Sequence, residues 1–135
     1  MLRYMLDTNL CIRVLRDRPQ AARLRFNQEA DGLCISTIVL TELLLGAEKS
    51  ARPADNRRSV DALVARLIVL AFDDNAAAHA AEIRATLERQ GQPIGGYDVL
   101  IAGHARSRGL VLITGNLREF SRVDGLRSED WLAGT

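Results

Sequence analysis

Lysine is almost missing from this chain: Lys49 is the only one among 18 basic residues, so the rest are Arg. Arg is an always-charged planar fork that suits phosphate or carboxylate, so the positive charge present either contacts anions or covers a solvated face. Cysteine is scarce too. Cys11 and Cys34 are spaced neither as a CxxC pair nor as a zinc site and make a poor disulfide framework, so two reduced core thiols are expected. No apolar run approaches the roughly 20 residues of a membrane-spanning helix. The first apolar stretch is interrupted at once by Asp7, which excludes a signal-peptide shape. Together these absences lead to the expectation of a cytoplasmic protein without membrane contact. Neither GxGxxG nor GxxxxGK[ST] occurs, which excludes the common nucleotide-binding loops. Internal repeats and low-complexity tracts are likewise missing.

What is present is an ordinary globular composition. Hydrophobic residues make up 47% and charged residues 26% of 135, enough for a single domain over residues 1–135 to bury one core. Short apolar stretches at 4–6, 32–36, 68–72 and 110–114 read as strands. Between them lie helical patterns: Thr8 to Arg16, "AARLRFNQE", "TIVLTELLLGAEKS" ended near Pro53, "RRSVDALVARL", "DDNAAAHAAEIRATLERQ" stopped by Gly91 and Pro93, and "GGYDVLIAGHARSRG" closed at Gly109. Continuous apolar strands alternating with helices predict an α/β sandwich, a mostly parallel central sheet with helices on both faces. In such sheets ligands bind beyond the carboxyl ends of the strands. Asp7 and Asn116 both fall at such ends.

Four acidic positions then stand out, each with a plainer alternative. Glu42 has Ile38, Val39, Leu45 and Gly46 as its helical neighbours, so a carboxylate sits in a stripe otherwise apolar or small. Such a group needs a cation or a metal if it is buried; it could also lie at the helix edge. Asp98 follows two glycines and Tyr97 at a helix start, where the helix dipole alone favours an acid. Asn116 and Glu119 have the spacing of a capping box, and Asp7 before Thr8 and Asn9 could be a helix cap. The joint placement of these groups on one side of the sheet is harder to explain by capping. Carboxylates without His or Cys suit Mg²⁺ or Mn²⁺ far better than zinc. His79, in an Ala-rich helix, and His104, beside Gly103, are expected to be packing or surface residues. The run "RVLRDRPQAARLR" places Arg13, Arg16 and Arg18 close after Asp7, a weak candidate for phosphate contact.

In order along the chain, "MLDTN", "TELLLGAEKS", "PIGGYDVLIAGHARSRG" and "LVLITGNLREFSRVDGL" resemble the PIN domain, and more narrowly the VapC-type toxins of bacterial toxin–antitoxin pairs. The resemblance runs from about Arg3 to Trp131. It implies a PIN-like three-layer sandwich and a metal-dependent endoribonuclease in which Asp7, Glu42 and Asp98 hold Mg²⁺, with Mn²⁺ as the alternative. Many relatives carry a further acid where this chain has Asn116. Glu119, a helical turn later, is the candidate replacement and would join the catalytic set. Thr8, Asn9, Thr114 and Asn116 match the family's polar supporting residues. The implied partners are an RNA substrate, with tRNA favoured, a small antitoxin that covers the site, and a second copy of the chain in a homodimer or a larger toxin–antitoxin assembly. With 4% aromatic residues, base stacking is not expected to dominate RNA recognition. Two competing readings stand beside this one. A receiver-like or dehalogenase-like phosphate domain lacks its further acids here, since Asn9 stands where the latter needs a second Asp. A PIN fold that has lost catalysis and only binds RNA or protein is the other, and Asn116 is its argument.

Overall fold

The computed structural model describes residues 1–17 and 20–132. Strands β1 (Tyr4–Leu6), β2 (Leu33–Ser36), β3 (Ile68–Leu70), β4 (Val111–Ile113) and β5 (Ser128–Glu129) form one sheet in the order β3-β2-β1-β4-β5. Every neighbouring pair is parallel. The central strand β1 and its neighbour β2 are buried along their whole length, which is why both are apolar, save for Ser36 at the end of β2, instead of alternating.

Parallel neighbours require crossovers. Helices α1 (Thr8–Arg16) and α2 (Gln20–Gln28) link β1 to β2, and α3 (Thr37–Glu48) and α4 (Pro53–Val64) link β2 to β3. Helices α5 (Asp74–Arg89) and α6 (Gly96–Ser107) carry the chain back across the sheet to β4, and the short α7 (Leu117–Phe120) leads to β5. The chain thus steps one way along the sheet as far as β3 and the other way from β4. Right-handed crossovers then put the two groups of helices on opposite faces, which completes the expected three layers.

Pro53, read from the sequence as the end of a helix, also begins one. It occupies the first turn of α4, where a residue without an N–H loses nothing. The fifth strand had no counterpart in the sequence, and α7 was foreshadowed only by the capping-box spacing of Asn116 and Glu119. β5 is held by its ladder to β4 and by Trp131, whose indole packs edge-on to Tyr4 with ring centroids 5.3 Å apart. Arg25 lies 5.0 Å over that indole and pairs with Glu29 and Glu129, so this member of the Arg-rich run ties down the C-terminal segment. Helices α5 and α6 pack closely at Gly103, where an added Cβ would lie 2.5 Å from the backbone nitrogen of Ala80. Cys11 and Cys34 are buried, unpaired thiols, as expected.

Candidate metal centre

All strands run the same way, so their carboxyl ends share one edge, and the acidic residues reach that edge from three directions. Leu6 pairs with Ile113 in the ladder, and the N–H of Asp7 donates to the Ile113 carbonyl at 3.1 Å. Asp7 is therefore held at the very end of the central strand. Its side chain caps α1 by accepting from the N–H of Leu10 at 2.9 Å, and it is also hydrogen-bonded by the side chain of Thr114. The plain reading of Asp7 as a cap is thus correct, and it leaves the second function open, because a carboxylate has lone pairs beyond the one used in capping. At 5% exposure Asp7 is nearly out of water.

Ser36 closes β2 and caps α3 through the N–H of Ile38 at 3.1 Å, so α3 starts at the same edge and carries Glu42 on its second turn. Glu42 is half-buried, and the hydroxyl of Thr8 donates to its Oε1 at 2.5 Å, drawing it toward Asp7. The apolar stripe expected around it is incomplete. Ile38 and Val39 are covered, whereas Leu45 and Gly46 are exposed, and Glu42 borders a cavity of about 300 Å³ that Arg16 also lines. Asp98 stands in the first turn of α6, half-buried. Its carboxyl shares a hydrogen bond with Glu119 of α7.

The capping box that the spacing of Asn116 and Glu119 offered as the plainer alternative is not formed. The Asn116 side chain does not cap α7; its amide donates to Glu119 Oε2 at 2.8 Å, while its own N–H goes to the Thr114 hydroxyl at 2.9 Å. The spacing is the same, but the result is a side-chain clamp that points Glu119 toward Asp98. Thr114, 1% exposed, thus connects the Asp7 side with the Asn116–Glu119 side.

The electrostatics identify the four acids as one group. Asp98 is raised to about 7, first by desolvation, then by the shared hydrogen bond and charge of Glu119, and further by Asp7 and Glu42. Asp7 is raised as well, mainly by burial, with Glu42 adding to the rise and Thr114, Leu10 and the charge of Arg13 opposing it. Among the described residues no Arg or Lys forms an ion pair with any of the four. Carboxylates crowded together without a cation are what a hard divalent ion relieves, and every donor here is oxygen. The residues therefore fit such an ion in their chemistry. They do not make a finished cage, however. Among the described residues no three His, Cys, Asp or Glu side chains converge as a ready-made ion site. Each carboxyl is instead held by its own hydrogen bond, Glu42 by Thr8 and Glu119 by Asn116.

The remaining candidates divide. Asn9 is exposed on α1 and makes no side-chain hydrogen bond among the described residues. Arg13 and Arg16 are exposed on the same helix, Arg13 near enough for Asp7 to feel its charge. Arg18 lies outside the described residues. His79 accepts from Arg106 at 2.9 Å, and buried His104 is hydrogen-bonded to Ser36 at 2.8 Å, so both are engaged away from the acids. Ser36 was not singled out from the sequence. A Ser between an apolar strand and a helix is a capping signal that marked it in principle.

Fold and site together define an α/β protein with a group of carboxylates gathered at the carboxyl edge of its parallel sheet. The family model described as the PIN domain matches residues 4–126. The tRNA(fMet)-specific endonuclease VapC of Shigella flexneri is 52% identical over 131 residues, covering 97% of this chain and 99% of that protein. Ribonuclease VapC2 of Haemophilus influenzae is 48% identical over 132 residues, covering 98% of this chain and all of that one (100%). Among solved structures, DNA-bound VapBC from Salmonella typhimurium superposes with a TM-score of 0.93 at 53% identity, covering 97% of this chain and 99% of that chain. VapBC2 from Rickettsia felis, bound to a promoter DNA fragment, gives 0.91 at 34%, covering 96% and 99%. The chain belongs to the PIN-domain family, in its VapC branch. Among the described residues no helix is long and apolar enough to cross a membrane.

Proposed function

We propose that this chain is a divalent-metal-dependent endoribonuclease, the toxin of a toxin–antitoxin pair, and that it hydrolyses a phosphodiester bond in tRNA in the cytoplasm until its antitoxin covers the site. The observation that carries the reading is the group of Asp7, Glu42, Asp98 and Glu119 at the carboxyl edge of the sheet, without an ion pair among the described residues. The names of the VapC relatives, a tRNA(fMet)-specific endonuclease among them, support the substrate class. The solved VapBC assemblies support the protein partner.

In this reading Asp7, Asp98 and Glu42 hold Mg²⁺ or Mn²⁺. When bound, such an ion lowers the pKa of a water and neutralises charge developing at phosphorus. The protein's own residues do the placing. Asp7 is immobilised by its cap and by Thr114, Thr8 orients Glu42, and Asn116 orients Glu119. The Asp98–Glu119 pair, sharing a hydrogen bond, is the place where a proton can be held or accepted. Arg13 and Arg16 flank the acids and suit the phosphates on either side of the cut. Two copies of the chain form the toxin unit that the antitoxin binds.

The test is cleavage of total cellular RNA by antitoxin-free protein with Mg²⁺, with Mn²⁺ and with EDTA, beside Asp7→Asn to exclude contaminating nuclease. Discrete metal-dependent fragments that the variant fails to produce are expected, with the cut ends mapping to tRNA. Folded protein that binds RNA but cleaves nothing with either ion would favour the catalytically silent binding module and point to Asn116.

A further inference from the structure

The two helices that carry Glu42 and Asp98 are joined away from the acids by one buried polar contact. His104 of α6, 1% exposed, meets the hydroxyl of Ser36, 0% exposed, at 2.8 Å. Ser36 is the last residue of β2 and the cap of α3, six positions before Glu42; His104 is six positions after Asp98 on its own helix. The contact has further supports. The Phe72 ring packs edge-on to His104 with centroids 5.5 Å apart, and the Phe72 N–H donates to the Thr37 hydroxyl at 3.1 Å. The cluster thus binds the start of α3, the segment after β3 and the last turn of α6 into one unit.

Stability alone is a poor reason for a histidine here. Its Nε2 is buried and has no hydrogen-bond partner among the described residues, and desolvation lowers its pKa. A phenylalanine would fill nearly the same space without an orphaned nitrogen and keep the edge contact with Phe72. What His104 supplies and Phe cannot is a directed bond to Ser36, which sets the register of α6 against the start of α3. We propose that the His104–Ser36 hydrogen bond is a positioning contact that fixes the separation of Asp98 from Glu42 and thereby the affinity of the acidic cluster for its divalent cation. Neither residue touches that cation; both act through the helices they join. The inference rests on the metal-dependent reading of the acidic cluster.

The experiment is a calorimetric titration of Mn²⁺ into apo protein at 25 °C, with thermal unfolding in EDTA, on the wild type, His104→Phe, His104→Asn and Ser36→Ala. His104→Phe is expected to hold or raise the unfolding temperature while weakening Mn²⁺ about tenfold, the lower end of what outer contacts of metal ligands carry. Ser36→Ala should weaken Mn²⁺ similarly but lower the unfolding temperature, because it also removes the α3 cap. His104→Asn retains a polar nitrogen near the Nδ1 position and should bring affinity back to within about threefold of the wild type. Cleavage should follow the same ranking, with KM for RNA unchanged and loss confined to kcat at low Mn²⁺. A merely structural pair gives the opposite pattern, with a lower unfolding temperature and unchanged Mn²⁺ affinity in the folded variants, and that result overturns the inference. Should His104→Phe fail to fold, the comparison of Ser36→Ala with His104→Asn decides by the same affinity criterion. If the wild type itself binds no Mn²⁺, the metal-dependent reading falls and takes this inference with it, whereas tight wild-type binding with equal variants removes this inference alone.

Discussion

Asp98 shows how the site's chemistry and its cost to the fold arise from one arrangement. Its folded pKa, about 7, lies above the ordinary carboxyl value because burial and Glu119 disfavour its charge. A carboxyl raised in the folded state adds stability that is complete at low pH and is lost as pH rises through the folded value. Without metal, therefore, the wild type should lose stability between about pH 4 and pH 7, relative to Asp98→Asn at each pH. Solvent screening on the open side of this half-buried group limits the difference to on the order of 1–2 kcal/mol. Asn can still donate to Glu119, so the variant should unfold at a higher temperature than the wild type at pH 8 in EDTA while losing cleavage. Asp7→Asn should act in the same sense, since an amide oxygen still caps Leu10. Thermal unfolding across the pH range checks both, and a variant less stable than wild type at pH 8 would make these acids supports of the fold and not ligands. Thr8 makes the contrasting case. Its hydroxyl aims Glu42 and does little else, so Thr8→Ala should reduce cleavage about tenfold at limiting Mn²⁺ and leave stability within about 0.5 kcal/mol. Equal loss at saturating and limiting Mn²⁺ would show that Thr8 acts elsewhere.

Among the elements, those with their own apolar content were legible in the sequence. β1, β2 and β4 are buried in the sheet, so each is apolar, save for Ser36 at the end of β2, whatever lies around it. β5 consists of Ser128 and Glu129, which have no pattern of their own and become a strand only because β4 offers a free edge. Asp7 and Asp98 were legible because a strand end and a helix start are local features. The Asn116–Glu119 clamp could not be told from a capping box in advance, because one spacing serves both and sequence does not distinguish them. The His104–Ser36 contact spans 68 positions, and nothing local announces it. Gly103 is another residue whose reason lies in its neighbour. Its missing Cβ lets α6, the helix of Asp98, lie against Ala80 of α5. Gly103→Ala must push backbone apart, so a loss of about 1–3 kcal/mol is expected in urea unfolding, larger than any gain in helix propensity. A neutral or stabilising result would mean the two helices slide freely past each other.

At the scale of the whole molecule the net charge is only +1, so no broad positive field draws RNA in. Attraction must then be local, and the acidic edge of the sheet would repel phosphate unless a cation and nearby arginines offset it. Several arginines are unavailable for this. Arg25 is engaged with Glu29, Glu129 and Trp131, and Arg106 with Glu82, His79 and the Asp124 carbonyl. Arg13 and Arg16 are exposed near the acids and unpaired among the described residues, which makes them the candidates to test for phosphate contact. RNA binding is best measured in an Asp98→Asn background, where affinity can be followed without cleavage. There, replacing both with Ala should flatten the dependence of log affinity on log salt by up to about 1.4, at roughly 0.7 per single-stranded phosphate contact. Affinity at low salt should fall with it, while affinity at high salt changes little. Arg13 also steadies the charge on Asp7, so Arg16→Ala alone separates the two roles: it should take about half of the slope and leave the Mn²⁺ affinity of otherwise wild-type protein unaltered. An unchanged salt slope in the double variant would move the RNA path off α1 and onto another face of the fold.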